Sequence, residues 1–585
     1  MNRYLSKNLL AVGLLSLLMV FVFSTKTDAA EPSFEVDFSS QEESQISSQS
    51  TQAPKVLPNL PSQDNNNTVT TNRILVKSIA LADNTILQPA EIEKLTAPYL
   101  NTILTAENLQ SIRQQLTLAY INKGYLSSGV ILPEQIVENG HVEFQAIEGS
   151  LTSIEVDLEN SILDGFAERE IRREVKGPLS LNDLETGIRK LELDPLIRRV
   201  SGRLLPGSNP GESRLSLDIE ENHPLRISAV FDNFESPTVG ANRGSIRLEH
   251  MNLTGHRDTL ALSLSATDGL RDAFASYSFP FAQERLELSA YFGLGSSDVI
   301  ESPFDELDIE GDNKAGGLSL GYKVANRLNR QVTLSTGLQY SSSETELLDE
   351  SFSFARGARS GRSTSTSAKL ELQWVERWGS QLLALRGSIR WGFDALNSTI
   401  IPSDAPDREI FLTGARIPES RFTVFLTQLQ WAKRLNYVDS EIVVNAAWQR
   451  TPDALLSVDK FAIGGNATVR GFRENSLLRD NGFYTNFEWR VPVLRKGRWS
   501  RLNLVATPFF DWAQAEDQGD RLETSSASTL SSIGLSLTAR PTDRWFMQLT
   551  YAERLRSESV VPARDRGLQD DGIHFAVSYQ WSPSN

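Results

Sequence analysis

Near its C-terminus the chain reads GIHFAVSYQWS, Gly572 to Ser582. Ile573, Phe575, Val577, Tyr579 and Trp581 alternate there with His574, Ala576, Ser578 and Gln580. Alternation at period two sends the two sets to opposite faces of a β-strand. One face is large and apolar and the other small or polar, which suits a strand between lipid and a wet interior. A single segment of this kind is weak evidence, so the reading depends on repetition.

The pattern recurs from Leu225 onward, in segments of about 9–12 residues separated by polar or Gly/Pro-bearing breaks. The series opens with LRISAVFDNF, RGSIRLEHMNL, DTLALSLSAT, DAFASYSFPF and RLELSAYFGLG. It continues with AGGLSLGYKVA, QVTLSTGLQY, STSAKLELQWV, QLLALRGSIRWGF and FTVFLTQLQWA. SEIVVNAAWQR, GFYTNFEWRVPV, LNLVATPFFDWA, SSIGLSLTARP and RWFMQLTYAERL precede the closing strand. That makes about sixteen antiparallel strands, an even number, as in single-chain bacterial transmembrane barrels. Facing can be read within them. Leu370, Leu372 and Trp374 point to lipid against Lys369, Glu371 and Gln373; Phe487 and Trp489 do so against Asn486, Glu488 and Arg490.

The connections supply an independent check. SSDVIESPFDELDIEGDN, SSETELLDESFSFARGARSGR and DALNSTIIPSDAPDREIFLTGARIPES follow odd-numbered strands. AQE, NRLNR, ERWGS and PTDR follow even-numbered ones. Bacterial barrels have short periplasmic turns and long outer loops. With the rest of the chain preceding the first strand, odd-to-even connections are the outer ones, so the asymmetry has the right phase. The acidic run FDELDIEGD lacks the ligand register of a calcium loop and reads as a solvated outer loop.

The N-terminus carries Arg3 and Lys7 before the apolar run Leu9–Phe23, then small residues at Ala29 and Ala30. Residues 1–30 therefore read as a secretory signal peptide, the apolar run being shorter than the ~20 residues that span a membrane. Residues 31–71, rich in Ser, Gln, Asn and Pro, read as a disordered linker. From Arg73 the order is strand (Ile74–Leu81), helix (PAEIEKLTAPY), helix (TAENLQSIRQQLTLAYINKG), then the strands YLSSGVIL and HVEFQAIEG. Leu109, Ile112, Leu116, Leu118 and Tyr120 form the apolar side of the second helix, and Gly124 ends it. LTSIEVDL, GFAEREIRREV, SLNDLETGIRKLEL, IRRVSGRLLP and SRLSLDIEE repeat the order, giving two α+β units over 72–150 and 151–223. The barrel occupies 224–585.

Composition excludes several chemistries. A net charge of −16 argues against nucleic-acid binding. There is no cysteine, hence no disulfide, thiolate metal site or cysteine nucleophile. The five histidines lack metal spacing, and no nucleophile-elbow or phosphate-loop motif occurs. The chain reads as no enzyme and as needing no cofactor or metal.

AYINKGYLSSGVILPEQIVENGHVEFQAIEGSL (119–151) resembles the first polypeptide-transport-associated (POTRA) domain of two-partner secretion transporters. RLLPGSNPGESRLSLDIEE (203–221) is similar to the closing hairpin of their second. The sixth outer connection holds IGGNATVRGFRENS (463–476), in which Val469, Arg470, Gly471 and Phe472 match the VRG[FY] motif of that superfamily's sixth loop. The resemblance implies that this loop folds back into the barrel and that its arginine meets an aspartate of an FxDxG motif on strand thirteen. Phe509 and Asp511 match here, while Ala513 stands where the family has glycine. Parity agrees: with Leu502, Leu504, Ala506 and Phe510 outward, Asn503, Thr507, Phe509 and Asp511 face the lumen. A buried arginine needs a carboxylate partner.

The resemblance thus implies an outer-membrane transporter for an unfolded exoprotein, captured by periplasmic POTRA domains and passed through a monomeric, lipid-embedded barrel. The aromatic last strand resembles the signal read by the outer-membrane assembly machinery, although SPSN follows Trp581. Family transporters often carry an N-terminal plug helix, for which PSFEVDFSSQEESQ is poorly suited. Two other functions fit the architecture. An insertase of the same superfamily usually has three or more POTRA domains, and a passive porin has no use for an Arg470–Asp511 pair.

Overall fold

The structure, a computed structural model, describes residues 73–158, 165–401, 417–495, 502–518, 527–556 and 566–583. The signal peptide and linker read from the sequence lie outside the described residues. The described residues fall into two compact units that meet in sequence at Asn222 and His223.

In the first unit the segment expected as one strand, Ile74–Leu81, is two. β1 (Ile74–Val76) pairs antiparallel with the short β3 (Thr102–Leu104). β2 (Ser78–Ala82) pairs parallel with β5 (His141–Ile147). At the joint the Lys77 and Ser78 amides donate to the Gly140 carbonyl at 2.8 and 3.3 Å, so the chain changes partner there. A change of partner leaves no mark on hydrophobic period. α1 (Pro89–Thr96) opens with proline and a Gln88/Glu91 capping box. α2 (Ala106–Asn122) is capped by Thr105, and Gly124 stops it with φ +89°. Leu109, Ile112, Leu116 and Tyr120 are buried, but Leu118 is 45% exposed. Two residues beyond Leu116 it points about 200° around the helix, off the apolar stripe.

β4 (Gly129–Ile131) is shorter than YLSSGVIL suggests, and it completes a sheet of order β2-β5-β4. The second module repeats the plan with β6 (Ser150–Leu158), α3 (Phe166–Glu174), α4 (Leu181–Glu192), β7 (Ile197–Pro206) and β8 (Glu212–Glu221). Its sheet order is β6-β8-β7, with β6 parallel to β8. In both sheets the last strand is central and parallel to the first. Ile171 and Leu191 from the helices and Leu215, Leu217 and Ile219 from β8 are buried.

The other unit is a closed antiparallel barrel of sixteen strands. Its first eight are β9 (Leu225–Asp232), β10 (Arg243–Met251), β11 (Thr259–Ala266), β12 (Leu270–Phe281), β13 (Leu286–Asp298), β14 (Ile309–Asn326), β15 (Arg330–Leu347) and β17 (Arg362–Trp378). A two-residue β16 (Glu350–Ser351) folds back antiparallel on the outer end of β15. β18 (Gln381–Gly392), β19 (Thr423–Arg434), β20 (Glu441–Arg450), β23 (Asn481–Leu494), β24 (Asn503–Glu516), β25 (Ser528–Arg540), β26 (Trp545–Arg556) and β27 (Ile573–Trp581) complete it. β27 closes on β9, with Ala576 opposite Asp232 and Trp581 opposite Ile227. Every sequence-read strand falls on one of the sixteen.

Faces follow the parity argument. Leu370, Leu372, Trp374, Phe487 and Trp489 are exposed on the outer wall, while Glu371, Asn486 and Glu488 are buried inside. Two outer connections differ from expectation. β14 and β15 are 18 residues each, and their ladder takes in Ile309–Asn313 and Ser342–Leu347, both expected as loop. At ~3.3 Å per residue such strands reach about 60 Å, beyond an apolar band about 25 Å tall. Their outer ends are polar because they stand in water. There Asp308, Glu310 and Asp349 come within 4.8 Å of one another, all exposed, as acidic groups commonly are without an ion.

Candidate functional site: a loop clasped inside the barrel

Between β20 and β23 the chain enters the barrel. β21 (Phe461–Ile463) and β22 (Leu477–Arg479) pair as a short hairpin stem. Gly464 and Gly465 turn the chain with φ of +109° and +95°. A Cβ on Gly465 would overlap the Glu474 carboxylate, whose Oε1 accepts the Asn466 amide at 2.6 Å. Phe461, Ala462, Ile463, Val469 and Phe472 form a buried cluster with Leu426, Ala447, Tyr484, Ala513, Ala515 and Leu530 on the wall. The loop therefore carries a hydrophobic core of its own into a polar lumen. β24 runs unbroken through Ala513, which is fully buried against this core.

The structure brings Arg470, Phe509 and Asp511 together. Arg470 is 5% exposed and Asp511 is 0% exposed. Nε and Nη2 of Arg470 donate to Oδ2 and Oδ1 of Asp511 at 2.8 and 2.6 Å, and the Arg470 amide also donates to Oδ2 at 3.0 Å. The guanidinium carbon lies 3.5 Å from the centroid of the Phe509 ring. A planar fork on a carboxylate and a ring face is geometry that arginine meets and lysine cannot.

The reading from sequence missed the second carboxylate. Nη1 of Arg470 donates to Glu488 Oε1 at 2.7 Å, and Arg490 Nη2 donates to the other oxygen, Oε2, at 3.0 Å. Asn486 donates to Asp511 Oδ1 at 2.9 Å and to the Thr468 carbonyl at 2.5 Å. Arg490 also reaches Glu441, with Nη1 3.7 Å from Oε2, so the network runs from the loop through Glu488 along the wall. Alternation places Asn486, Glu488 and Arg490 in the lumen; parity gives the face but not which lumen residue meets the loop.

Gly471 sits at φ +88° with its ideal Cβ position 2.8 Å from the Ala552 Cβ and 2.9 Å from the Ala552 carbonyl oxygen. Its amide donates to His574 Nε2 at 3.1 Å, and its carbonyl accepts from Arg554 Nε at 2.5 Å. Accepting at Nε2 requires the neutral ring with its proton on Nδ1. Arg554 also lies over the Phe472 ring, 5.2 Å from the centroid. Every VRGF residue therefore meets the barrel wall. Val469 and Phe472 pack, Arg470 pairs with β23 and β24, and Gly471 binds β26 and β27.

The arrangement is a loop fixed in the lumen by a buried ion-pair network.

Known proteins are similar to this chain in sequence and fold. The POTRA domain, ShlB-type, matches residues 74–149. Outer membrane transporter CdiB of Dickeya dadantii (strain 3937) is 24% identical over 444 residues, covering 72% of this chain and 73% of that protein. Hemolysin transporter protein ShlB of Serratia marcescens is 22% identical over 428 residues, 70% of each. The structure of CdiB from Escherichia coli has the same fold, with a TM-score of 0.64 at 19% identity over 89% of this chain and 93% of that one. The description haemolysin secretion/activation protein ShlB/FhaC/HecB matches residues 211–538, more than half of the chain, and the protein belongs to that family.

Proposed function

We propose that this chain, an outer-membrane transporter of two-partner secretion, captures its exoprotein on the POTRA edge and passes it extended through the lumen, with the VRGF loop setting the conducting state. The observation that carries this reading is the clasped loop. A buried bidentate pair, Arg470 with Asp511, holds a mobile type of element, a loop, inside the very passage a polypeptide must use. Such a pair is costly to bury and gives conformational specificity in return, provided that both partners stay together.

Capture is assigned to β7. Its ten residues have β8 on one side and no described strand on the other, and most of them are exposed. A free edge with unpaired amides and carbonyls accepts an extended peptide as an added strand. The edges of the first sheet, β2 and β4, have five and three residues, so they offer a shorter ladder. The outward apolar faces bind outer-membrane lipid, and the aromatic β27 serves recognition by the assembly machinery.

Amide hydrogen exchange on the full-length chain tests the capture step. Adding the N-terminal domain of the cognate exoprotein is expected to slow exchange across residues 197–206. Protection confined to β2, β4 or β6, with β7 unchanged, would place capture elsewhere.

A further inference from the structure

Three residues beyond Arg470, a second arginine holds a different part of the barrel. Arg473 Nε and Nη2 donate to Asp570 Oδ1 and Oδ2 at 2.6 and 2.8 Å, and Nη1 donates to Glu301 Oε1 at 2.6 Å. Asp570 lies in the connection from β26 to β27, and Glu301 in that from β13 to β14. Both connections leave odd-numbered strands of the barrel, so both are at the outer mouth. The closing seam between β27 and β9 lies between them.

The residues around Arg473 brace the same seam. Past the last ladder pair, Asn233 extends it: its amide donates to the Phe575 carbonyl at 3.2 Å, and its Oδ1 accepts the Phe575 amide at 2.8 Å. Gln569 is buried and donates to the Asn233 and Glu235 carbonyls at 2.6 and 2.7 Å. The Gln569 oxygen accepts the Glu474 amide at 3.0 Å. Lumen-loop residues 473 and 474 are thereby bonded to connections on both sides of the seam.

Exposed ion pairs contribute little because water screens them. This one is bidentate, and the side chains of Arg473, Glu301 and Asp570 are only 17%, 15% and 15% exposed. The hydrogen bonds to Asp570, against the pull of burial, and those to Glu301 hold the guanidinium above its ordinary value. Removing the arginine leaves two carboxylates close together without their cation. Arg470 binds Asp511 and Glu488 on β24 and β23, so the two arginines have separate partners. The loop has one anchor on the wall and another at the mouth.

We propose that Arg473 is a positioning residue that keeps the outer mouth closed at rest, stapling the β13–β14 and β26–β27 connections to the lumen loop across the closing seam. It rests on the transport reading for why the mouth opens, yet conductance reports it without any exoprotein. In planar bilayers, full-length Arg473→Gln is expected to open about tenfold more often than the parent, with the heat-modifiable mobility of a folded barrel retained. Glu301→Gln with Asp570→Asn should give the same increase from the other side of the contact. The triple variant should add nothing, since one contact is lost in each case. Unchanged opening in folded Arg473→Gln, or a triple variant whose openings multiply the two separate effects, would overturn the latch. Secretion by the parent chain is measured alongside. If the parent carried no exoprotein, the transport reading would fail while the conductance series still decided the latch.

Discussion

Replacing Arg470 with alanine is expected to cut exoprotein secretion at least tenfold while the barrel still assembles. The substitution leaves Asp511 fully buried with only Asn486 and the residue-470 amide as donors, and it removes one of the two cations around Glu488. Breaking a buried pair from one side costs about 3–5 kcal/mol, which shifts a docked–undocked equilibrium by more than about a hundredfold. The barrel ladder does not depend on this contact, so heat-modifiable mobility should be retained. Arg470→Lys is expected to fail nearly as badly. An ammonium cannot bond both Asp511 oxygens and Glu488 while stacking on Phe509. Secretion by Arg470→Lys at the parent level would mean that charge alone suffices and that the fork geometry is irrelevant.

The second large effect belongs to Gly471. Its φ of +88° lies where side chains are disfavoured by about 1–2 kcal/mol. A Cβ would also stand 2.8 Å from that of Ala552 and 2.9 Å from the Ala552 carbonyl, closer than real Cβ contacts allow. β26 is a ladder strand paired on both sides, so Ala552 has little room to retreat. Gly471→Ala is therefore expected to displace the loop and lose most secretion, with Gly471→Val worse. Ala552→Gly should restore only part of it, because the dihedral and the carbonyl contact remain. A secretion assay paired with the mobility shift separates loop displacement from failed assembly. Full activity in Gly471→Ala would show that the tight approach to β26 has no role in transport.

The barrel was legible because lipid and lumen impose period two along each spanning strand, and all sixteen segments carry it. The outer end of the β14–β15 ladder was not, because IEGDN and SSETEL lie beyond the apolar band and have no apolar alternation to show. The split of Ile74–Leu81 was missed for a related reason: apolar residues continue through both strands while the partner changes at Lys77. At the site, the Arg470–Asp511 pair was readable because a family motif named the residues and strand parity independently put Asp511 in the lumen. Glu488 had the right face, but alternation alone does not single out one carboxylate among many lumen groups. Arg473 was the hardest, since its partners lie 97 and 172 residues away in connections that have no periodicity.

The central claim is that Arg470 and Asp511 act as one unit in setting the conducting state. A double-mutant cycle on secretion tests it most directly, with Arg470→Ala, Asp511→Ala and the pair compared at equal amounts of folded barrel. The clasp predicts that each single variant loses most secretion and that the double is no worse than either. Losses that multiply in the double, or a single variant that secretes like the parent, would contradict it.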